Sequence, residues 1–303
     1  MGPTALYMPA HPILKWVGGK TQILETVLSR FPPTMHSYHE PFLGGASVLL
    51  GALARGGITG SIYASDSNPR LIALYTCVQS HPTAVIRALR VLAADYARAA
   101  ATSVKGGRSP GTRAEALTSA ESYYYWIRRA YNAQTPAQRQ SPLAAAMLIF
   151  LNKTCFRGVY REGPSGFNVP FGNYAEPTIC DEANLLAFST AVQPVQFTCE
   201  SFETAMIRVG PADFVYLDPP YVPETATSFV GYTADGFPAE KHAQLFALCR
   251  SLPCPFVLSN ANVPLLRSEF PSPAFAIQNV PARRAIHSKN PNARTEEVLV
   301  WRA

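Results

Sequence analysis

The sequence predicts an α/β protein in which a doubly wound, mostly parallel sheet is interrupted by an extra lobe. Three observations carry this. Strand-like and helix-like periods alternate in the first third of the chain and again in the last. A Gly-, Ser- and Pro-rich segment followed by two helical stretches separates them. That middle stretch also carries a strong positive charge of its own.

Taken in order, Ser37–Phe42 is a short extended run leading to Gly44-Gly45. Ala46–Arg55 places Val48, Leu49, Ala52 and Leu53 at helical spacing and stops at Gly56-Gly57. Gly60–Ser65 is a second strand ending at Asp66. Asn68–Gln79 is helical with Pro69 in its first turn, and Pro82–Ala101 is a longer helix with Val85, Ile86, Leu89 and Leu92 on one face. Ser103–Thr112 reads as a loop. Helices follow at Ser119–Ala133 and Pro142–Leu151. Val195–Cys199, Phe214–Leu217 and Phe256–Ser259 are short apolar strands, the last two separated by a helix at Ala239–Ser251. Phe275–Val280 and Val298–Trp301 form a terminal antiparallel pair.

The chain has 303 residues with 26 basic and 20 acidic side chains, a net charge of +6. That balance admits nucleic acid, a membrane surface or an acidic substrate. Position narrows it. Between Val104 and Arg161 nine basic residues (105, 108, 113, 128, 129, 139, 153, 157, 161) face only Glu115 and Glu121, so this stretch carries +7 and the remainder is near neutral. Such asymmetry supports a polyanion-facing subdomain, with a solvated face as the alternative. The longest apolar run, Leu143–Leu151, is far short of the ~20 residues of a membrane span. Met1–Pro12 shows no secretory signal. The expectation is a cytoplasmic protein with no membrane partner. Six cysteines form no CxxC pair and have no histidines at ligand spacing, so buried thiols and no metal are expected.

Three motifs carry chemistry. Asp218-Pro219-Pro220-Tyr221 follows the strand Phe214–Leu217, and in open α/β sheets ligands sit at the carboxyl ends of strands. Asp218 offers a carboxylate. The two prolines remove N–H groups and leave the Pro219 carbonyl free to accept, and Tyr221 offers a ring face. Together they suit a planar amino group with two N–H bonds. The same run is also good turn chemistry, and alone it carries both readings. Glu40-Pro41-Phe42-Leu43-Gly44-Gly45-Ala46 joins a strand to a helix, where glycines let backbone approach a ligand. Asp66, ending the next strand, is placed either for ribose hydroxyls or as the N-cap of the following helix. Lys15-Trp16-Val17-Gly18-Gly19-Lys20 lacks the spacing of a phosphate loop, which disfavours a P-loop NTPase.

Taken along the chain, Lys15–Lys20, then Glu40–Ala46, then Asp218–Tyr221, the three motifs resemble the Dam-like family of DNA adenine-N6 methyltransferases. The middle is similar too, through Leu151-Asn152-Lys153-Thr154-Cys155-Phe156-Arg157-Gly158-Val159-Tyr160-Arg161 and Gly166-Phe167-Asn168-Val169-Pro170-Phe171-Gly172. So are Cys199-Glu200-Ser201-Phe202, Leu258-Ser259-Asn260 and Arg283-Arg284-Ala285-Ile286. The resemblance spans residues 13–302. It implies a Rossmann-like class I methyltransferase fold, with a mostly parallel seven-stranded sheet, an antiparallel terminal strand and an inserted, mainly helical target-recognition lobe. The expected division is a catalytic domain of residues 1–81 and 191–303 with an insert at 82–190.

The resemblance further implies methyl transfer from S-adenosylmethionine to the exocyclic amine of an adenine flipped out of duplex DNA. Trp16, Lys20, Glu40, Phe42, Gly44, Gly45, Asp66, Ser201, Phe202 and Asp218 would bind the cofactor. Asp218, Pro219, Pro220 and Tyr221 would be catalytic. Ala46 stands where many relatives have Gly, for which a minor loop shift is expected. Arg128 and Arg129, with Lys105 and Arg139, would meet phosphates. Arg157 and Arg161 would reach base edges beside Lys153, and Phe156 would wedge into the stack. Arg283 and Arg284, with Ser288-Lys289-Asn290, would add backbone contacts. GATC is the expected site, although Arg157 replaces the Asn of the best-known members. The partners expected are double-stranded DNA and, as a candidate, a cognate restriction endonuclease; the chain itself is expected to be a monomer. The alternatives are a different DNA site, an RNA substrate, a protein glutamine substrate (disfavoured by the basic insert), or a DNA-binding regulator with an inactive fold.

Overall fold

A computed structural model describes residues 10–102, 106–222, 237–283 and 294–302, with backbone alone at 282, 283 and 294–296. Among these residues the strands are β1 (Tyr38–Glu40), β2 (Ile62–Asp66), β3 (Glu162–Gly163), β4 (Gly166–Phe167), β5 (Val195–Cys199), β6 (Phe214–Leu217), β7 (Phe256–Ala261), β8 (Phe275–Arg283) and β9 (Arg294–Arg302). The α-helices are α1 (Leu24–Leu28), α2 (Ser47–Arg55), α3 (Pro69–Ser80), α4 (Pro82–Ala100), α5 (Arg113–Ala116), α6 (Ala120–Asn132), α7 (Pro142–Thr154), α8 (Glu182–Ala191), α9 (Phe202–Met206), α10 (Ala239–Ser251) and α11 (Pro264–Glu269). None of the described helices is long and apolar enough to cross a membrane.

The chain divides into two compact units. One comprises Gly18–Pro69 and Pro194–Ala303, the other Met1–Val17 and Arg70–Gln193.

The first unit holds a seven-stranded sheet in the order β5-β2-β1-β6-β7-β9-β8. The pairs β1/β2, β2/β5, β1/β6 and β6/β7 are parallel, whereas β9 runs antiparallel to both β7 and β8. This is the expected mostly parallel Rossmann-like sheet with an antiparallel terminal strand. Parallel strands are covered on both faces and therefore read as unbroken apolar runs. Phe214, Val215, Tyr216 and Leu217 of β6 are accordingly all buried, as are all six residues of β7. Below the β7 side, Leu245, Phe246 and Cys249 of α10 meet Phe256, Leu258, Leu266, Phe270, Val298 and Val300 in one apolar cluster. The chain winds outward from β1 through α2 to β2 and from β6 to β7 in the opposite direction. The winding therefore reverses between β1 and β6, where sheets of this class bind ligands.

The second unit is helical. Val85, Ile86, Leu89, Leu92 and Tyr96 line the buried face of α4, and Phe150 of α7 meets Tyr96 and Tyr123 edge-on at 5.7 Å each. Ser119 and Ser141 cap α6 and α7, accepting from the amides of Ser122 and Ala144. Besides the short helix α5, two elements here were absent from the sequence expectations. One is α8, whose Leu185 and Phe188 are buried while Leu186 is exposed, so its apolar residues mark no single face. The other is the β3–β4 hairpin, pinned where the Asn132 amide donates to Phe167 O and accepts from Phe167 N, both at 2.9 Å.

Candidate active site

Three acids sit at the carboxyl ends of three adjacent parallel strands of the sheet unit. Glu40 ends β1, Asp66 ends β2, and Asp218 directly follows β6. Strand register therefore places side chains far apart in sequence on one edge of the sheet.

Asp218 is held by Lys20. The Lys20 ammonium, only 3% exposed, lies 2.7 Å from Asp218 Oδ2, 2.6 Å from Gly18 O, which accepts from it, and 4.0 Å from Glu297 Oε2. Its Nζ also stands 5.1 Å from the centre of the Tyr221 ring. The Lys20 backbone amide donates to Ser47 Oγ at 3.1 Å, fixing it to the first turn of α2. Burial disfavours the ammonium, but Asp218, Tyr216 and Glu297 around it hold the Lys20 pKa above the ordinary lysine value. Burial pushes Asp218 up to about 6 despite Lys20, and Glu297 adds to that rise. Glu40, fully buried, accepts from the Tyr38 hydroxyl at 2.5 Å and is pushed up to about 8, chiefly by burial.

The segment after β1 turns tightly. Gly44 has φ +47° and Ala46 φ +61°, left-handed values that favour glycine. The departure expected at Ala46 as a minor shift is thus a left-handed alanine, buried at the start of α2. Asp66 performs the capping role allowed for it: its Oδ1 accepts from Asn68 N at 2.9 Å, while Oδ2 accepts from Gly44 N at 3.0 Å. Burial raises its pKa against both bonds. Phe42 stacks on Phe202 with centroids 5.5 Å apart, and Ser201 caps α9 by accepting from Thr204 N at 3.4 Å. Pro219 is buried and Pro220 half-buried. After Tyr221, Val222 N donates to Asn260 Oδ1 at 3.0 Å, so the end of β7 fixes the far side of the tetrapeptide.

The family model for D12 class N6 adenine-specific DNA methyltransferases matches residues 16–286. The chain belongs to this family. It is 33% identical over 297 residues to the Type II methyltransferase M.MjaIII of Methanocaldococcus jannaschii, covering 93% of this chain and 94% of that protein. It is 30% identical over 293 residues to the DNA adenine methylase of Escherichia coli K12, covering 95% and 93% respectively. The Retron Ec67 DNA adenine methylase of Escherichia coli is 31% identical over 280 residues, covering 90% of this chain and 85% of that one. The chain is therefore an adenine-specific DNA methyltransferase acting on DNA, of a family that uses S-adenosylmethionine.

In the helical unit of this D12 methyltransferase, the run after α7 forms a sharp turn. Phe156 is 49% exposed, Arg157 has φ +57°, and its guanidinium lies 5.2 Å from the Phe156 ring centre. Arg161 donates through Nε to Asn168 Oδ1 at 2.6 Å. Lys153 is half-buried, and burial, then Lys15, lowers its pKa. Arg128 is occupied within the unit: its Nη1 donates to Val169 O at 3.0 Å and the guanidinium lies 4.6 Å over Tyr125. Arg129 is exposed and lies 4.9 Å over Trp126. Trp16 stacks on Tyr160 with centroids 5.2 Å apart. Of Arg283 only the backbone is described, paired with Arg294, and Lys105, Arg284 and Ser288-Lys289-Asn290 lie outside the described residues. Sequence reasoning missed Glu297 and Ser47, whose partners are long-range, and Tyr38, whose hydroxyl donates to Glu40 two residues on along the same strand. It also gave no role to Asn152, Asn168 or Asn260, although all three stand inside the runs that carry the resemblance. Among the described residues no cluster suited to a metal is present.

Proposed function

We propose that this methyltransferase acts on the N6 amine of an adenine flipped out of duplex DNA, within GATC, with S-adenosylmethionine bound at the ends of β1 and β2. The observation that carries the reading is Asp218: a carboxylate at the winding reversal of the sheet, oriented by a buried lysine and followed by two prolines. The residues present fit the cofactor. Three carboxyl groups suit ribose hydroxyls and, where ionised, a cationic centre, the Phe42–Phe202 pair offers faces for a flat base, and the turn at Gly44 and Gly45 brings backbone close. Glu40, Asp66, Ser201 and Lys20 complete that set.

When bound, S-adenosylmethionine supplies an electrophilic methyl group. The chain's own part is to make a poor nucleophile competent. Asp218 and the Pro219 carbonyl accept the two N–H bonds of the amine, which pulls the nitrogen toward tetrahedral geometry and localises its lone pair. A negative carboxylate also stabilises the positive charge that develops there. Tyr221 stacks on the base and returns part of the unstacking cost, on the order of 1–3 kcal/mol.

For the target site, Arg161 and Arg157 are the readers of base edges, Phe156 is the wedge, and Lys153, Arg128, Arg129, Arg283 and Arg284 meet the backbone. GATC is supported by the residues around Arg157 that resemble the Dam-like signature. We read the chain as a cytoplasmic monomer, with a cognate restriction endonuclease as the partner to look for. The test is methylation of a plasmid in cells, with modified adenines mapped by long-read sequencing. Modification confined to GATC is expected. Another motif would overturn the assigned site, and no modified adenine would overturn the activity. Asp218→Ala is expected to abolish transfer while leaving cofactor binding largely intact.

A further inference from the structure

We infer that Glu297, on the C-terminal strand, is a positioning residue for methyl transfer, acting through Lys20 to keep Asp218 effective toward the amine. Glu297 lies beyond the matched span of residues 16–286 and belongs to none of the motifs. It faces Ala261 of β7 and Val280 of β8 in register, and β9 carries it to the same edge as Asp218. Its Oε2 is buried, stands 4.0 Å from Lys20 Nζ, and the carboxylate neighbours Tyr221.

The reason for a second carboxylate is arithmetic. Lys20 is 2.7 Å from Asp218, so this ammonium alone cancels much of the field Asp218 directs at a developing positive charge. Glu297 shares the same ammonium and restores a negative balance. Lys20 then orients Asp218 without neutralising it. The groups facing Asp218 are Lys20 from the segment before α1, Glu40 from β1, Tyr216 within β6, Tyr221 in the following turn and Glu297 from β9. Of these, Glu297 is the anion that raises the Asp218 pKa, and removing its charge lowers that pKa.

This inference rests on the reading of Asp218 as acceptor of the amine, and the experiment separates the two. Glu297→Gln keeps the shape and removes the charge. The expected result is a kcat about tenfold lower, KM values for DNA and S-adenosylmethionine within about twofold, and an acid limb of the kcat–pH profile moved to lower pH by on the order of half a unit. Loss of packing alone lowers kcat or stability and leaves the limb in place. Glu297→Asp, which retains the charge but withdraws it, is expected to shift the limb less in the same direction and to recover part of the rate. It carries the measurement if the Gln variant does not fold. A limb that stays at the parental pH in whichever variant folds overturns the role of Glu297. Asp218→Ala is measured alongside: residual turnover there overturns the reading of Asp218, whereas an inactive Asp218→Ala with an unmoved limb in Glu297→Gln overturns only the present inference.

Discussion

Asn152 clasps Lys15 by its backbone from both sides. Its Oδ1 accepts from Lys15 N at 2.8 Å, and its Nδ2 donates to Lys15 O at 2.8 Å and to Gly158 O at 3.0 Å. The amide is 1% exposed and joins the first motif to the sharp turn after α7. Gly158 itself, at φ +66°, leaves no room for a side chain, since a Cβ there would come within 2.6 Å of Lys15 Cδ. Truncating Asn152 takes the partner from three backbone groups. The bond to Gly158 O is buried and the two to Lys15 are part-buried, so the first approaches the roughly 1–3 kcal/mol cost of an unmet buried group and the others less. Asn152→Ala is therefore expected to lose about 3 kcal/mol in urea unfolding, with a raised KM for DNA as the turn loosens. Asn152→Asp is expected to be worse, because it sets a carboxylate against two carbonyl oxygens. A midpoint unchanged in either variant contradicts the clasp.

The same residue shows where sequence legibility ends. Asn152 stands in a run whose resemblance to the Dam-like signature was plain, yet nothing local indicates that it binds a residue 137 positions away. Strands β5 and β6 and helix α10 were legible to the residue, because apolar runs bounded by turn residues declare themselves. The acids at the strand ends were legible for the same reason: once the strands are placed, their ends are. Glu297 was not, since its role comes from neighbouring strands in the sheet, and Tyr38 was not, since a tyrosine in a buried strand reads as core packing although its hydroxyl donates to Glu40 on the same strand face. The left-handed conformation of Ala46 was hidden because alanine usually signals the opposite preference.

Ala46 offers a test of opposing magnitudes. A left-handed alanine costs about 1–2 kcal/mol. Glycine there relieves this but forfeits a buried methyl worth about 0.8 kcal/mol and adds unfolded-chain entropy of about 0.5–1 kcal/mol. The terms nearly cancel, so Ala46→Gly is expected to lie within about 1 kcal/mol of the parent. Ala46→Val combines a branched side chain at φ +61° with a site of zero exposure, and should be strongly destabilised. Thermal melts of both variants check this. Equal stability of the two would contradict the left-handed geometry.

Activity and stability should run in opposite directions with pH. Asp218 must be ionised to accept from the amine, and its pKa of about 6 places the acid limb of kcat near that value. Glu40 rises from an ordinary 4.5 to about 8 on folding. A carboxyl raised by folding stabilises the fold below its unfolded value and loses that contribution as pH climbs through the folded one. Stability should therefore fall between about pH 5 and 8, at up to roughly 1.4 kcal/mol per pH unit for each such group. Glu40→Gln still accepts from Tyr38 and removes one titration. Its melting temperature, measured without cofactor, should vary less over this range. A parental slope in that variant would show that Glu40 is not the titrating group.

Arg161 enters its proposed encounter with DNA already oriented. Its Nε donates to Asn168 Oδ1 at 2.6 Å, while the backbone bond from Asn168 N to Arg161 O at 3.1 Å holds the loop independently of that side chain. Asn168→Ala therefore loosens the guanidinium, leaving it only the longer bond from Nη2 to Asn168 O at 3.4 Å, without undoing the loop. If Arg161 reads guanine by two parallel hydrogen bonds, loosening it should lower the ratio of cognate to single-mismatch kcat/KM severalfold. Arg161→Lys, which cannot form the fork, should lower it by about 1–3 kcal/mol of discrimination at that one base pair. Because no phosphate contact is lost, the salt dependence of binding should keep its slope in both variants. A loss spread evenly over all sites, together with a shallower salt slope, would instead place Arg161 on the backbone and move base reading elsewhere in the turn.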